Sequence, residues 1–244
     1  MRTTKKALDE IAVAYHMNRD LPDMHIEAIC QGFEKHWLLE NLPKGASFLE
    51  MGYGDGIVSE ALATAGISLT ILEGSSVLYD EAAKRFGRSV RMVDQLFEEY
   101  EPGEEFDGII CSHVLEHVDD PVTLLRRIAT WLRRDGRLFV IVPNKESVHR
   151  RLAVLMGLQP ELDTLSPRDH LVGHQRVYSL ASLDQHLQAG GFHIMSNTGF
   201  FLKCLPNSMM LQYSRELLRA LNEIAADVPK ELLANIGVVA RKNR

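Results

Sequence analysis

The sequence predicts an α/β fold built on a mostly parallel sheet, and three observations lead to this prediction. Short apolar runs typical of buried strands alternate with stretches of helical periodicity. Glycine and proline clusters separate these segments. The 244 residues are 45% hydrophobic and 25% charged, which is ordinary for a globular protein. We therefore predict a single domain over residues 1–244.

The first elements are bounded by clear breaks. Residues 24–41 have helical periodicity, which Pro43 and Gly45 end. Residues 47–51 form a short apolar run and predict a buried strand. A glycine-rich turn follows and leads into a helix over 57–65. This succession of helix, strand and helix is typical of a parallel sheet with crossover helices.

The alternation continues through the middle of the chain. Strands are predicted over 67–72, 90–93 and 106–111, with a helix over 78–86 and a solvated acidic stretch over 98–105. An amphipathic helix over 122–132 follows Asp120, a capping residue, and has Pro121 in its first turn. A turn at 134–136 then leads to a fifth strand over 138–142.

The C-terminal part is less regular. Helices are predicted over 148–156, 180–189 and 209–224, and strands over 192–200 and 236–240. The whole is a Rossmann-like, seven-stranded, mostly parallel sheet with helices on both faces. Its predicted parts are an N-terminal helical lid (1–42), a core (43–144), an insert after the fifth strand (145–179), and a segment that completes the sheet (180–244).

Composition argues against several classes of protein. The net charge of −6 disfavours a nucleic-acid-binding protein, and no apolar run is long enough to predict a membrane span. The basic N-terminus lacks the apolar region of a secretory signal. Cys30, Cys111 and Cys204 form no CxxC pair, so we expect neither disulfides nor a metal site, and a cytoplasmic location. Whether the protein is a monomer or a homodimer stays open.

A glycine turn and a distant acidic residue predict a nucleotide site. Gly52, Gly54 and Gly56 lie between a strand and a helix, where glycine lets the backbone approach a ligand closely. Glu73 ends the second strand, where a carboxylate can accept hydrogen bonds from a ribose diol. Alone, such a turn also fits an ordinary tight connection between strand and helix.

Two residues distinguish the nucleotide cofactors. In nicotinamide-dependent oxidoreductases the G-x-G-x-x-G pattern would place a glycine at the position of Ile57. Glu50 precedes the first glycine within the strand and would be poorly placed beside a pyrophosphate. A carboxylate there suits an ammonium group, such as the amino-acid end of S-adenosylmethionine.

Four segments, in the right order, resemble class I S-adenosylmethionine-dependent methyltransferases of the small-molecule type, related to the quinone-biosynthesis enzymes. They are residues 48–56, Glu73 with 93–96, residues 106–121 and residues 132–144. The resemblance implies S-adenosylmethionine as the cofactor and a small molecule as the methyl acceptor. It also implies these cofactor-binding residues: Tyr15, Glu50, Gly52, Tyr53, Gly54, Gly56, Glu73, Gly74, Asp94, Gln95, Leu96, Ser112 and His113.

Two aromatic residues among these have a second interpretation. Tyr53 stands where the family usually has a smaller residue and is expected to cover or narrow the cofactor pocket. Tyr15 matches a segment that closes over the cofactor, although an aromatic anchor for its helix explains it equally well.

The sequence from His113 to His117 also fits H-x-x-E-H, a zinc-peptidase motif, with Glu116 as the base. That motif needs a sustained helix, whereas a strand precedes it here and Pro121 follows closely. The methyltransferase interpretation places Ser112 and His113 beside the methionine part of the cofactor. His117 then faces the acceptor or caps a turn.

The insert concentrates histidine and arginine in an acidic protein. We predict His117, His149 and His174 as catalytic candidates, because imidazole titrates near neutral pH. The predicted substrate-binding residues are Asn144, Arg150, Arg176 and Tyr178, and an anionic acceptor such as a nucleotide-linked sugar is favoured. Arg151 is a further candidate for an anion. The alternative is a solvated loop with ion pairs to Glu146, Asp163 and Asp169.

These observations predict methylation of a small polar metabolite at oxygen, nitrogen or carbon, with sugars, quinone-type rings and natural-product scaffolds as acceptors. Methyl transfer needs binding and alignment more than a catalytic constellation. The motifs therefore identify the donor better than the acceptor. A catalytically silent cofactor-binding protein also fits them.

Overall fold

The computed structural model describes residues 4–18, 20–43 and 45–243. Within them, seven strands form one sheet in the order β3-β2-β1-β4-β5-β7-β6. Neighbours pair in parallel, except that β7 runs antiparallel between β5 and β6. The strands are β1 Ser47–Met51, β2 Ser68–Glu73, β3 Arg91–Asp94, β4 Phe106–Ser112, β5 Leu132–Pro143, β6 Phe192–Phe200 and β7 Asn235–Lys242. The predicted Rossmann-like α/β class is confirmed.

Ten α-helices accompany the sheet in the described ranges. They are α1 Lys5–Ile11, α2 Met24–Asn41, α3 Ile57–Thr64, α4 Ser76–Phe86, α5 Pro121–Trp131, α6 Val148–Leu155, α7 Pro167–Leu171, α8 Leu180–Ala189, α9 Asn207–Met210 and α10 Arg215–Glu223. A π-helical turn, Ala12–His16, continues α1. None of these helices has the length and apolarity of a bilayer-crossing segment.

The core lies on both faces of the sheet because side chains alternate along each strand. Phe48 and Ile110 belong to the cluster that packs under α2, α3 and α4, whereas Leu49 and Ile109 belong to the cluster under α5 and α8. A smaller cluster joins α2 to α10. The strand order reverses between β1 and β4, and such a reversal opens a crevice at the carboxyl ends of the strands.

Two predicted elements need correction, and one short helix was missed. The helix predicted over 209–224 is two helices, α9 and α10, because the Ser214 hydroxyl accepts a hydrogen bond from the Leu217 amide and starts α10 afresh. The short helix α7 was not predicted, although Ser166 and Asp169 form a capping box at its start. Strand β5 begins at Leu132 rather than 138, so the predicted turn at 134–136 lies within it.

The N-terminal segment is held over the carboxyl edge of the sheet. The Asp9 carboxylate accepts hydrogen bonds from the Ser75 hydroxyl (2.7 Å) and the Val77 amide (3.2 Å) at the start of α4. Lys5 forms an ion pair with Asp94 at the end of β3. Both contacts fix α1 where a ligand at this edge would meet it.

Candidate active site

A cavity of about 1120 Å³ opens at the carboxyl edge of the sheet. The loops after β1, β2, β3 and β4 line one part of it, and α1, α2, α6, α7 and the segment after β6 line much of the rest. This volume is at the upper end for small-molecule sites and can hold a nucleoside cofactor together with a second ligand.

The glycine turn after β1 leaves the backbone open to this cavity. Gly52, Gly54 and Gly56 have φ angles of 80°, 54° and 71°, which glycine adopts without the strain that a side chain brings. A Cβ atom at Gly56 would lie 2.5 Å from the Tyr53 hydroxyl oxygen. This close approach explains glycine at position 56 by packing as well as by conformation.

Tyr53 lies in the wall of the cavity and leaves the glycine turn accessible. Its ring is buried and packs edge-on against Phe86, with 6.2 Å between ring centroids. Its hydroxyl oxygen accepts a hydrogen bond from Arg85 Nη1 (3.2 Å). These contacts direct the ring toward α4, and all three glycines still line the cavity.

Two buried carboxylates flank the turn. Glu73 accepts hydrogen bonds from the backbone amides of Tyr53 (2.8 Å) and Ser75 (2.7 Å), and its burial nevertheless raises its pKa. Burial raises the pKa of Glu50 to about 8, against a smaller opposite effect of Ser59. Within the described residues, Glu50 Oε2 and the Ser59 hydroxyl form no hydrogen bond.

The predicted adenine segment is only partly in the cavity. Leu96 lines it, together with Phe97 and Glu98, which were not predicted. Asp94 and Gln95 do not line it, and the Asp94 carboxylate is engaged by Lys5. The acid of this segment therefore holds α1 in place, and an adenine-binding role for Asp94 and Gln95 is not supported. Gly74 lines the cavity and packs closely under Leu8.

Tyr15 lies in the cavity wall, as a residue that closes over the cofactor would, and it also anchors its own segment. Each of its two interpretations therefore describes part of its position. Its hydroxyl oxygen accepts a hydrogen bond from Arg168 Nη2 (2.9 Å), and the guanidinium lies 4.9 Å from its ring centroid. Next to it, His16 contacts Asp55 of the glycine turn (2.7 Å). The N-terminal segment is thus connected to both the glycine turn and α7.

His113 lies between two buried carboxylates. Its Nε2 is 3.2 Å from Glu34 Oε2 and its Nδ1 is 3.2 Å from Glu116 Oε1. Burial lowers the pKa of His113, but the two carboxylates raise it more, so the pKa lies well above its ordinary value. Its φ of 54° is unusual for a residue other than glycine.

The zinc-peptidase interpretation of this segment is wrong. Residues 113–117 form turns after β4, so His113 and His117 do not share a helix face. His113 is directed toward Glu34 of α2, and Ser112 and His113 both line the cavity. The buried Glu34 was not predicted, because nothing in α2 indicates its partner 79 residues away.

His117 and His174 form an edge-to-face pair on the cavity wall, with ring centroids 4.7 Å apart. Asp169 Oδ1 lies 2.8 Å from His174 Nδ1. Burial opposes ionisation of Asp169, but the His174 hydrogen bond and the Arg150 charge hold its pKa well below the ordinary range. Burial lowers the pKa of His117 to about 4. Asp169 entered the sequence analysis only as an ion-pair partner, because its contact with His174 depends on α7.

Glu116, His117 and His174 offer one ligand atom each within 4.8 Å of one another. This spacing would allow them to share a metal ion. His174 Nε2 and Glu116 Oε1 are 4.0 Å apart, and Glu116 Oε2 forms no hydrogen bond within the ranges described above.

The predicted substrate-binding residues make internal contacts instead. Arg176 donates to the backbone carbonyls of Leu115, Val118 and Asp119, and the Tyr178 hydroxyl donates to Leu115. The Asn144 amide donates to the carbonyls of Glu231 and Leu233 (2.8 Å each). Neither Arg176, Tyr178 nor Asn144 lines the cavity. Their polar atoms hold the loops around the site, and a direct role in binding the acceptor is not supported.

Arg150 lines the cavity but its guanidinium is occupied. Nη2 is 2.7 Å from Asp169 Oδ2, and Nη1 donates to the carbonyls of Leu162 and Thr164. Arg151 is exposed and donates to the Glu146 carbonyl. Of the alternative interpretation, a solvated loop with ion pairs, the ion pair with Asp169 describes Arg150, but its side chain is buried rather than solvated. Because Arg150 and Arg176 are engaged within the protein, they do not support an anionic acceptor.

His149 lines the same wall, and burial followed by the charge of Lys203 keeps its pKa well below the ordinary value. Lys203, in the loop after β6, also lines the cavity and was not predicted. A single lysine in an irregular stretch carries no motif, so no sequence signal was available for it.

Two sequence comparisons relate this chain to known methyltransferases. A family model described as a methyltransferase domain matches residues 18–197. The ubiquinone biosynthesis O-methyltransferase of Coxiella burnetii is 27% identical over 172 residues, which are 69% of this chain and 72% of the relative.

Solved structures share the fold at low sequence identity. The CcbJ methyltransferase of Streptomyces caelestis has a TM-score of 0.58 at 16% identity, over 97% of both chains. The 1,6-didemethyltoxoflavin-N1-methyltransferase of Burkholderia thailandensis has a TM-score of 0.59 at 20% identity, over 98% of this chain and 87% of that one. The latter structure contains 1,6-didemethyltoxoflavin and S-adenosylhomocysteine.

Proposed function

This chain belongs to the methyltransferase-domain family, and from that premise we propose that it methylates an acidic hydroxyl group on a small, largely apolar molecule. It is an S-adenosylmethionine-dependent methyltransferase of the small-molecule type. The observation that carries the choice of a hydroxyl is the contact between His174 and Asp169 on the cavity wall.

The contact orients a proton acceptor. Asp169 stays ionised because His174 and Arg150 hold its pKa low, so it accepts a hydrogen bond from His174 Nδ1–H. That bond selects the tautomer in which Nε2 carries the lone pair. A neutral hydroxyl is a poor nucleophile, and Nε2 can take its proton as the oxygen attacks. An amine acceptor would not require this arrangement.

The residues around the glycine turn fit S-adenosylmethionine. Glu50 Oε2 is buried and lacks a hydrogen-bond donor in the part of the chain that the structure describes, so an ammonium group would satisfy it. Glu73 keeps free lone pairs for a ribose diol although each oxygen already accepts one amide. The chemistry supplied by the bound cofactor is a methyl group on a positively charged sulfur, open to in-line displacement.

Part of the remaining wall suits an apolar acceptor. Ile11, Val114, Val118, Ala153 and Leu211 line the cavity beyond the histidines. The α1 segment covers the cofactor part through its contacts with α4 and the glycine turn. The O-methyltransferase activity named for the Coxiella burnetii relative supports a hydroxyl acceptor.

The test is a labelled-methyl assay with purified protein and a panel of phenols, catechols and naphthols. We expect transfer to at least one hydroxylated ring. His174→Gln and Asp169→Asn should each lower kcat by about 100-fold or more, the usual contribution of a general base, while the Kd of S-adenosylhomocysteine stays unchanged. His170→Gln is the control, because His170 lies exposed on α7 beside Asp169.

Three results would contradict the proposal. Turnover by His174→Gln at the wild-type rate would remove the base. Methylation of amines but of no hydroxyl would change the acceptor class. A rate abolished by chelator and restored by a divalent cation would assign the proton transfer to a metal at Glu116, His117 and His174 instead.

A further inference from the structure

The basic residues that line the cavity differ in whether their charged groups form ion pairs. Arg150 pairs with Asp169 at 2.7 Å, and Arg168 pairs with Asp23. Lys203 also lines the cavity and is only partly exposed, yet its ammonium group forms no ion pair or hydrogen bond with any described residue. A partly exposed ammonium in a cavity wall, with no acidic partner among the described residues, is available to an anionic ligand.

The backbone holds Lys203 rigidly at this place. The Phe201 carbonyl accepts hydrogen bonds from the amides of Lys203 (2.8 Å) and Ala234 (2.9 Å). The Leu202 amide donates to the Leu221 carbonyl (3.0 Å). Phe201 has a φ of 63°, an unfavourable angle for an aromatic residue that its burial sustains. Strain and hydrogen bonds together pre-organise the loop that carries the lysine.

His149 also lines this cavity and has no hydrogen-bond partner among the described residues. Its Nδ1 is buried. The charges of Lys203 and Arg150 and its own burial keep the ring neutral, with only Asp169 acting in the opposite direction. A neutral imidazole still offers one N–H donor. The wall therefore presents one ammonium and one further donor.

Both residues are on the acceptor side. Lys203 follows β6 and His149 begins α6, which follows β5, whereas the cofactor residues follow β1 and β2. The sheet order separates β2 from β6 by four strands. The Asp169 carboxylate connects the two regions of the acceptor wall, since it contacts His174 and influences His149.

We infer that Lys203 and His149 form a subsite for a carboxylate substituent on the methyl acceptor. This inference rests on the proposed function and narrows its substrate class to hydroxylated aromatic acids. The net charge of the pair, +1, matches a carboxylate better than a doubly charged phosphate. Three acidic side chains that line the cavity have partners of their own: Asp23 pairs with Arg168, Asp169 pairs with Arg150, and Glu27 accepts a hydrogen bond from the Asn207 amide.

Calorimetric titration tests the subsite without turnover. The protein is saturated with S-adenosylhomocysteine and titrated with 3,4-dihydroxybenzoate, 3-(3,4-dihydroxyphenyl)propionate and the methyl ester of each. The two acids differ in the distance from carboxylate to hydroxyl. We expect at least one acid to bind about tenfold or more tightly than its ester, because a hydrogen-bonded charge pair is worth at least that factor.

The variants assign that preference to its residues. Lys203→Met should abolish the difference between acid and ester and leave ester binding unchanged, whereas Lys203→Arg should retain most of it. His149→Phe should reduce it in part. Lys84→Met is the control, because Lys84 is exposed on α4 and does not line the cavity.

Three outcomes would overturn the subsite. They are equal binding of acids and esters by the wild type, absence of binding by both acids, and an acid preference that survives Lys203→Met. A loss of S-adenosylhomocysteine affinity in Lys203→Met would also overturn it, because the lysine would then bind the cofactor carboxylate. The proposed function is judged separately, by label transfer to a hydroxyl and by His174→Gln.

Discussion

Glu50 allows a quantitative prediction, because burial of its carboxylate opposes folding whereas the same carboxylate is proposed to bind the cofactor's ammonium group. The residue is 3% exposed at the end of β1, and its pKa is raised from 4.5 to about 8. Replacement by glutamine keeps the shape of the side chain and removes its ionisation. We expect Glu50→Gln to stabilise the protein without cofactor and to weaken cofactor binding.

The size of the effect follows from the two pKa values. Between pH 4.5 and pH 8 the folded protein keeps a proton that the unfolded chain has released, so stability falls as the pH rises. The difference between a pKa of 4.5 in the unfolded chain and a pKa of about 8 in the folded protein corresponds to a total of about 5 kcal/mol in the free energy of unfolding. About 4 kcal/mol of this develops between pH 5 and pH 9.

The assay is urea unfolding at pH 5, 7 and 9, followed by circular dichroism without cofactor. The free energy of unfolding of Glu50→Gln minus that of the wild type should increase by about 4 kcal/mol from pH 5 to pH 9. Glu99→Gln is the control, because Glu99 is exposed and its replacement should leave the pH profile unchanged. The Kd of S-adenosylmethionine at pH 7 should rise about tenfold or more in Glu50→Gln, since a charged hydrogen bond is lost.

Two results would refute this reasoning. A difference in unfolding free energy that does not change with pH would mean that Glu50 ionises normally in the folded protein. Unchanged cofactor affinity in Glu50→Gln would mean that its carboxylate does not meet the ammonium group, and the fit of the glycine turn to S-adenosylmethionine would need another explanation.

Three further substitutions test the packing around the site. In urea titrations, Gly56→Ala should lower the free energy of unfolding by more than Gly66→Ala does. Both glycines have a φ of 71°, but only a Cβ atom at position 56 would meet Tyr53, so the difference between the two losses measures that clash. Equal losses would contradict that contact. Arg176→Gln should lower kcat and leave the Kd of S-adenosylhomocysteine unchanged, because it releases the loop around His117. Asp55→Asn should speed release of S-adenosylhomocysteine in stopped-flow experiments by freeing His16, and an unchanged rate would show that this contact does not hold the lid.

The cofactor half of the site was accessible from the sequence because its signals are local. The φ angles above 50° at Gly52, Gly54 and Gly56 require glycine within one turn, and Glu50 and Glu73 end adjacent parallel strands that must meet at one edge. Where the structure does not support a predicted site residue, a long-range contact engages that residue. Asp94 has the position of an adenine ligand, but Lys5, 89 residues away, engages its carboxylate.

The acceptor half depended on the tertiary structure. Arg176 and Arg150 have the chemistry of anion ligands, and no local pattern reveals that backbone carbonyls and Asp169 already occupy them. Lys203 has no motif and becomes notable only because it lines the cavity and has no acceptor among the residues that the structure describes.

The sequence by itself determined the α/β class, the order of the elements around the first five strands and the family, because these follow from periodicity and from residues close together in the chain. The tertiary structure decided the antiparallel position of β7, the contact between Asp169 and His174, and which charges remain available to a ligand. The physical reason is that a charged side chain that pairs with a neighbour is no longer free to bind a ligand. Packing brings that neighbour close, whatever its distance along the sequence.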